Sequence, residues 1–500
     1  MSTSPTRPAV TEHTLAEVEA HLVGVELFGV SNVVVSGISL DSRTVRTGDV
    51  YAAIPGLKVH GAEFCGEAVA NGARAILTDH TGMDRGLASG VPCLVVSDPR
   101  RQLGELSAFL YGRAVDRLTT IGITGTNGKT TTAYMIEAGL RAAGRKTGVI
   151  GTLGTRIHDE EVASVRTTPE APDLHALFAV MEESGVDSVV MEVSSHALAQ
   201  GRVEAITFDL AVFTNLSQDH LDFHRDMEEY FAVKATLFTA NRSRVSLVCV
   251  DDVWGQRLHD TVTQSMTFSM TGKDADWTGR VIQEYAHGQD VEITDRSGHS
   301  DVVRIQLTGP FNAANAVTAF VALRELGISV AEITRGLASV QVPGRMQRID
   351  IDADIDVVID YAHSPAAIEE VLTTARSFGN GRVIAVFGAG GDRDRSKRPL
   401  MGECAGRLAD FIVVTDDNPR SEEPADIRSQ IISGVHTRIP VLEIGARDEA
   451  INTAIGSAAP GDVVVILGKG HEQGQEIAGV VYPFSDVEVA YRSLKDRHTP

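Results

Sequence analysis

The sequence predicts an α/β protein built from three domains. Three observations carry this prediction. The chain has 500 residues, and single hydrophobic cores stop growing at roughly 250–300 residues. Apolar runs of strand length alternate with helical stretches, the pattern of parallel sheets covered on both faces. The strongest of these runs end in glycine-rich or charged loops, where open α/β sheets hold their ligands. The net charge of −22 argues against nucleic acid or an anionic membrane as partner, though a local basic pocket can still take an anionic small molecule. The opening MSTSPTRPAVTEHTL has no apolar core like that of a secretory leader. No apolar run approaches the roughly 18 residues that cross a bilayer. Cys65, Cys93, Cys249 and Cys404 are scattered, without a C-x-x-C pair. That usage suits a reducing compartment and gives no metal signature. Together these features predict a cytoplasmic protein without membrane insertion.

Taken in order, residues 1–112 mix short apolar runs (VSNVVV, ARAILT, VPCLVV) with helices and loops. They read as a small α/β N-terminal domain. Residues 113–342 read as a central parallel-sheet domain. It opens on a strand over 118–124, a glycine loop, and a helix over about 130–143. Further strands follow at DSVVMEV (187–193), FDLAVFTN (208–215) and VSLVCV (245–250). PGR at 343–345 breaks the pattern and marks a linker or hinge near Val342. Residues 343–500 carry three buried-strand candidates, RVIAVFGAGG, DFIVVTDDNPR and DVVVILGKGHE. They predict a third, Rossmann-like domain whose polar loops converge on one crevice.

The loop GITGTNGKTT (122–131) resembles a phosphate-binding loop with one departure. The usual pattern, G-x-x-x-x-G-K-[ST], needs a glycine at position 123, which is Ile123. The strand–loop–helix context nevertheless fits a P-loop ATPase-like domain. Gly125 and Gly128 let backbone N–H groups turn toward an anion, with Thr126 and Asn127 between them. Lys129 supplies a cation for the β/γ-phosphates, Thr130 a hydroxyl for Mg²⁺, and Thr131 continues the helix start, whose dipole favours anions. ATP and Mg²⁺ are the cofactors this predicts. Glu192 ends the strand in MEVSSH, where metal-binding acids sit in such folds. His220 lies in FTNLSQDHLDFH, just beyond another strand. Lys234 lies in the helical stretch EEYFAVKATLF, and a lysine there ordinarily extends to solvent. A dinucleotide site at GAGGDRD fails the G-x-G-x-x-G spacing, because position 393 is arginine.

TGTNGKTT, EVSSHALAQGR, NLSQDHLDFH, YFAVKATLF, GPFNAANA, PGRMQ, DYAHSP, GGDRDRSKRP, DDNPR and GKGHEQ occur in this order. Each is weak alone. The ordered set, from LDSR at 40–43 to GKGHE at 468–472, resembles the Mur ligases, in which the shorter G-T-N-G-K-T loop is normal. The resemblance is strongest to members that add the third residue of the peptidoglycan stem peptide. It implies UDP-N-acetylmuramoyl-L-alanyl-D-glutamate and meso-diaminopimelate as substrates, and a monomer. It implies that ATP phosphorylates the D-glutamate γ-carboxylate and that an amine then displaces phosphate. On the same basis Lys129, Glu192, His220 and Lys234 are catalytic. Thr130 and Glu192 serve one magnesium, His220 and Lys234 a second, with Lys234 carbamylated to an anionic oxygen ligand. Asn312, Arg345 and Asp360 join the loop as nucleotide contacts. Leu40, Ser42, Thr167, Thr168, Ser194, Gln200 and Arg202 match contacts to the UDP-muramoyl peptide. Arg166 stands where relatives often carry Asn and is left out. Arg393, Asp417, Asn418, Pro419, Arg420, Gly468 and Glu472 match the amino-acid pocket. Relatives that add diaminopimelate typically carry D-N-P-R, and lysine-adding relatives replace that arginine. Three alternatives stay open: the same ligase using L-lysine, a folylpolyglutamate-synthase-like ligase, and a nucleotide-binding switch or scaffold. The second does not explain DDNPR with GKGHEQ, and the third needs no amino-acid pocket.

Overall fold

The computed structural model describes residues 7–497, apart from 10, 57, 163–165, 263, 286–287, 350 and 352. Three large sheets follow one another along the chain; one buried cluster runs between the first and the central sheet, and the third sheet has cores of its own. The first has 5 strands in the order Glu26–Phe28, Cys93–Val95, Ala75–Thr78, Asp49–Ala53, Gly37–Ser39. All its pairs are parallel except the Glu26–Phe28 edge. The second sheet has 11 strands. From Thr147–Gly151 through Ser188–Glu192, Thr119–Thr124, Phe208–Phe213, Ser243–Cys249 and Ser265–Ser269 to Trp277–Tyr285, every neighbouring pair is parallel. The third has 6 strands in the order Gln347–Arg348, Asp356–Asp360, Val463–Leu467, Val383–Phe387, Phe411–Val414, Val441–Glu443. Only its Gln347–Arg348 edge is antiparallel. The α/β class read from the sequence is the architecture observed.

The central strands are almost entirely buried, and their residues show why. GTNGK is preceded by TTIGIT, and SVVME and FDLAVF are also largely apolar, so each strand can be covered on both faces. Helix Lys129–Ala142 packs on this sheet beside Pro310–Glu325 and Val330–Leu337. Pro310–Glu325 is apolar nearly all round and buried, which leaves its two asparagines, Asn312 and Asn315, inside the molecule.

Two differences from the sequence reading have physical causes. The expected strands over 187–193 and 208–215 stop earlier, at Glu192 and Phe213. Glu192 at the end of the first, and Thr214 and Asn215 after the second, bond the phosphate loop instead. The sheet also continues past its parallel part into antiparallel strands Gly288–Asp295 and Ser300–Ile305. There one face is buried and the other wet. Val291, Ile293, Val303 and Ile305 alternate inward, a period-2 signal weaker than the continuous apolar runs elsewhere.

Candidate active site

Strand Thr119–Thr124 feeds a loop at 125–128 that opens directly into helix Lys129–Ala142. Gly128 takes φ 85°, and a side chain there would collide with the Asn315 amide. The helix has no side-chain cap, so its first N–H groups are left for an anion. The loop is held from outside. Asn215 accepts from Thr126 N at 2.9 Å through its carbonyl and from Asn127 N at 2.9 Å through its side chain. Thr214 Oγ1 donates to Asn127 O at 2.6 Å. Lys129 Nζ donates to the carbonyls of Gly125 (2.9 Å) and Thr126 (2.8 Å). Burial lowers its pKa, while Glu192 and Asp219 oppose the shift.

Glu192 is buried at its strand end and links this loop to the next region. Its Oε1 accepts from Thr130 Oγ1 at 2.9 Å and Thr152 N at 2.8 Å, and its Oε2 from Thr152 Oγ1 at 3.0 Å. Thr152 Oγ1 lies 3.2 Å from Thr167 Oγ1, and Thr168 Oγ1 donates to Glu192 O at 2.8 Å.

Lys234 corrects the solvent-exposed reading. Its side chain is buried in helix Met227–Ala235. Nζ donates to Gly125 O at 2.8 Å and Thr124 Oγ1 at 3.3 Å, and stands 4.8 Å from the Tyr230 ring centre. The loop carbonyl and the aromatic face supply the partners that solvent supplies elsewhere. Burial, reinforced by Lys129, drives the Lys234 pKa far below its ordinary value, so the amine is biased toward its neutral form. His220 has a left-handed backbone, φ 55°. Its ring lies 6.1 Å from Tyr230 and 5.0 Å from His196, with Asp219 at 3.5 Å. Burial pushes its pKa down against the pull of Asp219, which favours the neutral imidazole that metals bind.

The other side of the cleft comes from the third sheet. Arg345 Nη2 donates to Thr130 Oγ1 at 3.2 Å, and its guanidinium lies 4.6 Å from the Tyr361 ring centre. Asp360 accepts from Met346 N and Ala362 N, both at 2.7 Å. Asn312 Nδ2 donates to Thr308 O at 2.8 Å and its Oδ1 accepts from Asn315 at 3.3 Å. Asn312, Arg345 and Asp360 line one narrow cavity of about 60 Å³ with Asn127, Gly128, Thr130 and Thr131. Gly125 and Thr126 do not line it.

A second, open crevice of about 960 Å³ separates the first sheet from the central one. Leu40 and Ser42 line it, with Tyr51, Phe64 and Arg100. Arg166, set aside on sequence, is also on its wall. Thr167, Thr168, Ser194, Gln200 and Arg202 gather between this crevice and Glu192. Arg202 reaches Thr168 O (3.1 Å), Gln200 Oε1 (2.6 Å) and Glu170 (2.9 Å), and Ser194 caps helix Ser195–Ala199.

In the third sheet, the loops after Val383–Phe387, Phe411–Val414 and Val463–Leu467 meet. Gly391 N donates to Asn418 O at 2.9 Å, and Gly391 packs on Pro419. Asn418 Nδ2 donates to Glu472 Oε2 at 2.9 Å. Gly468 packs against the Asp417 carboxylate, and Arg420 Nη1 donates to Gly391 O at 2.7 Å. Arg393 is exposed at the rim, donating to Asp392 O at 3.2 Å. Sequence reasoning missed several residues here. Lys469 is fully buried and donates to Asn418 Oδ1 (3.0 Å) and Glu472 Oε2 (2.8 Å). Its signal was a lysine flanked by glycines at the end of an apolar strand. Asn215, Thr152 and Tyr230 had no local signal, because their importance lies in what they touch. Among the described residues no three His, Cys, Asp or Glu side chains gather as a ready-made metal set. None of the described helices is long and apolar enough to cross a membrane.

A phosphate loop, an acid linking it toward a second crevice, and polar loops meeting at the strand ends of the third sheet are the parts an ATP-dependent ligase needs. Three family models match: Mur ligase family, catalytic domain, over residues 34–111; Mur ligase middle domain over 123–323; and Mur ligase, glutamate ligase domain, over 344–470. The chain belongs to the Mur ligase family. Among its relatives, the UDP-N-acetylmuramoyl-L-alanyl-D-glutamate--2,6-diaminopimelate ligase of Streptomyces avermitilis is 50% identical over 460 residues, covering 90% of this chain and 91% of the relative. A solved structure of a ligase of the same name is 32% identical, with a TM-score of 0.69, covering 98% of this chain and 100% of its own. The MurF ligase of Thermotoga maritima, solved in complex with ADP, shares the fold at 18% identity, with a TM-score of 0.63 and coverage of 92% and 97%.

Proposed function

We propose that this protein is an ATP-dependent ligase that joins meso-diaminopimelate to the D-glutamate γ-carboxylate of UDP-N-acetylmuramoyl-L-alanyl-D-glutamate, in cytoplasmic synthesis of peptidoglycan precursors. One observation carries the reading. Glu192 bonds the phosphate-loop Thr130 on one side and, through Thr152, reaches Thr167, which stands beside the second crevice, on the other. A nucleotide at the loop and an acceptor in the crevice would therefore meet at one carboxylate. We further propose domain limits at 1–112, 113–342 and 343–500, and a monomeric enzyme.

The chemistry follows from charge. The acceptor carboxylate attacks the γ-phosphorus of ATP, giving an acyl phosphate and ADP. Both reactants are anions, so the barrier is largely electrostatic. Lys129 and Arg345 supply fixed cations on the two sides of the cleft. The amine of the incoming amino acid then attacks the acyl carbon. It loses a proton, the C–O bond to phosphate breaks, and the amide and inorganic phosphate leave. Leu40, Ser42, Thr167, Thr168, Ser194, Gln200 and Arg202 hold the UDP-muramoyl peptide. Arg393, Asp417, Asn418, Pro419, Arg420, Gly468 and Glu472 hold the amino acid, with Arg420 toward its far carboxylate.

The donor set fits magnesium. Thr130 and Glu192 offer a hydroxyl and a carboxylate within 2.9 Å of each other, the hard oxygen ligands this ion takes. His220 and Lys234 would hold a second ion once Lys234 carries a carbamate. A neutral buried amine is the form that adds CO₂, releasing one proton and leaving a carboxylate oxygen where an ammonium cannot ligate. Magnesium supplies the charge neutralisation that phosphoryl transfer requires.

The test is phosphate release with ATP, the UDP-muramoyl dipeptide and a panel of amino acids. Release should need both acceptor and amino acid, with meso-diaminopimelate preferred. Release without acceptor would point to a switch. Preference for L-lysine would overturn the choice of amino acid.

A further inference from the structure

The hairpin Gly474–Ile477/Val480–Pro483 stands apart from the three large sheets as a two-stranded ribbon. Its turn places Ala478 (φ 50°) and Gly479 (φ 79°) in the left-handed region, the twist that tight hairpins need. Val480, Val481 and Tyr482 on its second strand are exposed. Isolated two-stranded ribbons are marginal in water, so its docking on the body matters. The first strand docks along 417–420. Gln475 Nε2 donates to Asp417 O at 2.7 Å, and Glu476 N to Asn418 Oδ1 at 2.9 Å. Arg420 N donates to Glu476 O at 3.1 Å, and Ala478 N to Arg420 O at 2.7 Å. The ribbon thus adds a short parallel bridge to the DDNPR loop.

That clamp bears on Arg420 itself. Its backbone is left-handed, φ 52°, a strained state for arginine that persists only where neighbours enforce it. Its Nε donates to Glu476 Oε2 at 3.1 Å, and its Nη1 to Gly391 O at 2.7 Å. These two bonds fix both the tilt and the roll of the guanidinium plane. A guanidinium has five N–H donors, so the end-on edge formed by Nη1 and Nη2 keeps donors for a carboxylate. The Arg420 and Glu476 side chains are 23% and 39% exposed. A pair so exposed adds little stability. Its consequence is orientation.

We infer that Glu476, carried by the Gly474–Pro483 hairpin, is a positioning residue that aims Arg420 at the far carboxylate of the incoming amino acid and so sets the preference for a dicarboxylic diamine over a monocarboxylic one. The inference rests on the proposed ligase reading and adds to it a residue outside the amino-acid pocket set. The carboxylate of Glu476 occupies the Nε side of Arg420, so the substrate carboxylate meets Nη1 and Nη2. Without Glu476 the side chain can swing, and the geometry that distinguishes meso-diaminopimelate from L-lysine loosens. The amine that reacts lies at the other end of the substrate, so the chemical step is spared.

The experiment uses the full chain and measures kcat and KM for meso-diaminopimelate and L-lysine in wild type, Glu476→Ala, Glu476→Gln, Arg420→Ala and the double variant. Glu476→Ala should raise KM for meso-diaminopimelate about twofold to fivefold, the range for losing a partly exposed charge pair. Its kcat should stay near wild type and its kcat/KM for L-lysine should not change. Glu476→Gln keeps the shape and an acceptor, so its loss should be smaller and in KM alone. It guards against a folding failure of the alanine variant. Because Glu476 acts through Arg420, the double variant should be no worse than Arg420→Ala. An unchanged substrate ratio in both Glu476 variants would overturn the inference, as would equal losses for both amino acids or additive losses in the double variant. A wild-type enzyme that fails with meso-diaminopimelate would instead sink the ligase reading beneath it.

Discussion

Two lysines 4.8 Å and less from their partners show how one residue type takes opposite roles in one site. Lys129 keeps its head against the carbonyls of its own loop, with Glu192 and Asp219 supporting its charge. Lys129→Ala should leave the fold intact and lower kcat about 10²–10³-fold, the cost of removing a key electrostatic donor. A folded variant with near-normal turnover would remove the nucleotide role. Lys234 instead has a second cation, Lys129, working against its charge. Its expected chemistry is therefore that of an amine. Lys234→Ala should be nearly inactive and regain part of its activity with added acetate or formate, which return an oxygen ligand. Wild-type activity should rise with bicarbonate after CO₂ depletion. Activity indifferent to bicarbonate, with no rescue by carboxylates, would exclude the carbamate.

Elements place these residues by where they end. Glu192, Thr214 and Asn215 serve the phosphate loop because their strands stop at its level and the next residues turn toward it. Helix Ala171–Glu183 lines the large crevice with one face and carries a titratable group into the core with another. His175 on that helix is buried, and its ring nitrogen lies 3.1 Å from Glu204 O. Gly104 of helix Pro99–Leu110 packs against the same residue, 2.7 Å from that oxygen for any added Cβ. Burial pushes the His175 pKa down to about 4, with the Glu204 carbonyl pulling the other way. The unfolded chain titrates near 6.5 and so binds more protons between those two values. The stabilisation is fully present above about pH 6.5 and is lost as pH falls through about 4. At 1.36 kcal/mol per unit the loss is on the order of 3 kcal/mol. Thermal midpoints measured from pH 7 to pH 4 should fall less steeply in His175→Gln, which keeps a donor for Glu204 but cannot titrate. Parallel slopes in the two proteins would refute this account.

The whole molecule makes the nucleotide site from two bodies. Arg345 follows the central domain, lies over Tyr361 of the third and donates to Thr130 of the second. The cavity it helps enclose holds about 60 Å³, whereas small-molecule sites run to roughly 300–1,000 Å³. ATP binding is therefore expected to shift the third body relative to the central sheet. Arg345→Ala should raise KM for ATP about tenfold to a hundredfold while leaving KM for the UDP-muramoyl peptide unchanged, because the large crevice lies between the other two bodies. Equal effects on both substrates would show that Arg345 acts by holding the domains together.

The α/β class, the phosphate loop and the DDNPR and GKGHE loops were legible in the sequence because their signals are local. An apolar run of strand length is buried wherever it folds, and a glycine that needs a positive φ announces a turn. The charge of Lys234 was not legible. Its burial depends on Gly125 and Tyr230, and the cation that opposes it, Lys129, is 105 positions away in the chain. The same holds for Thr152, Asn215, Lys469 and Glu476, ordinary polar residues until folding sets them against Glu192, the phosphate loop, Glu472 and Arg420. Desolvation and hydrogen-bond orientation are properties of neighbours, and only the tertiary structure chooses the neighbours.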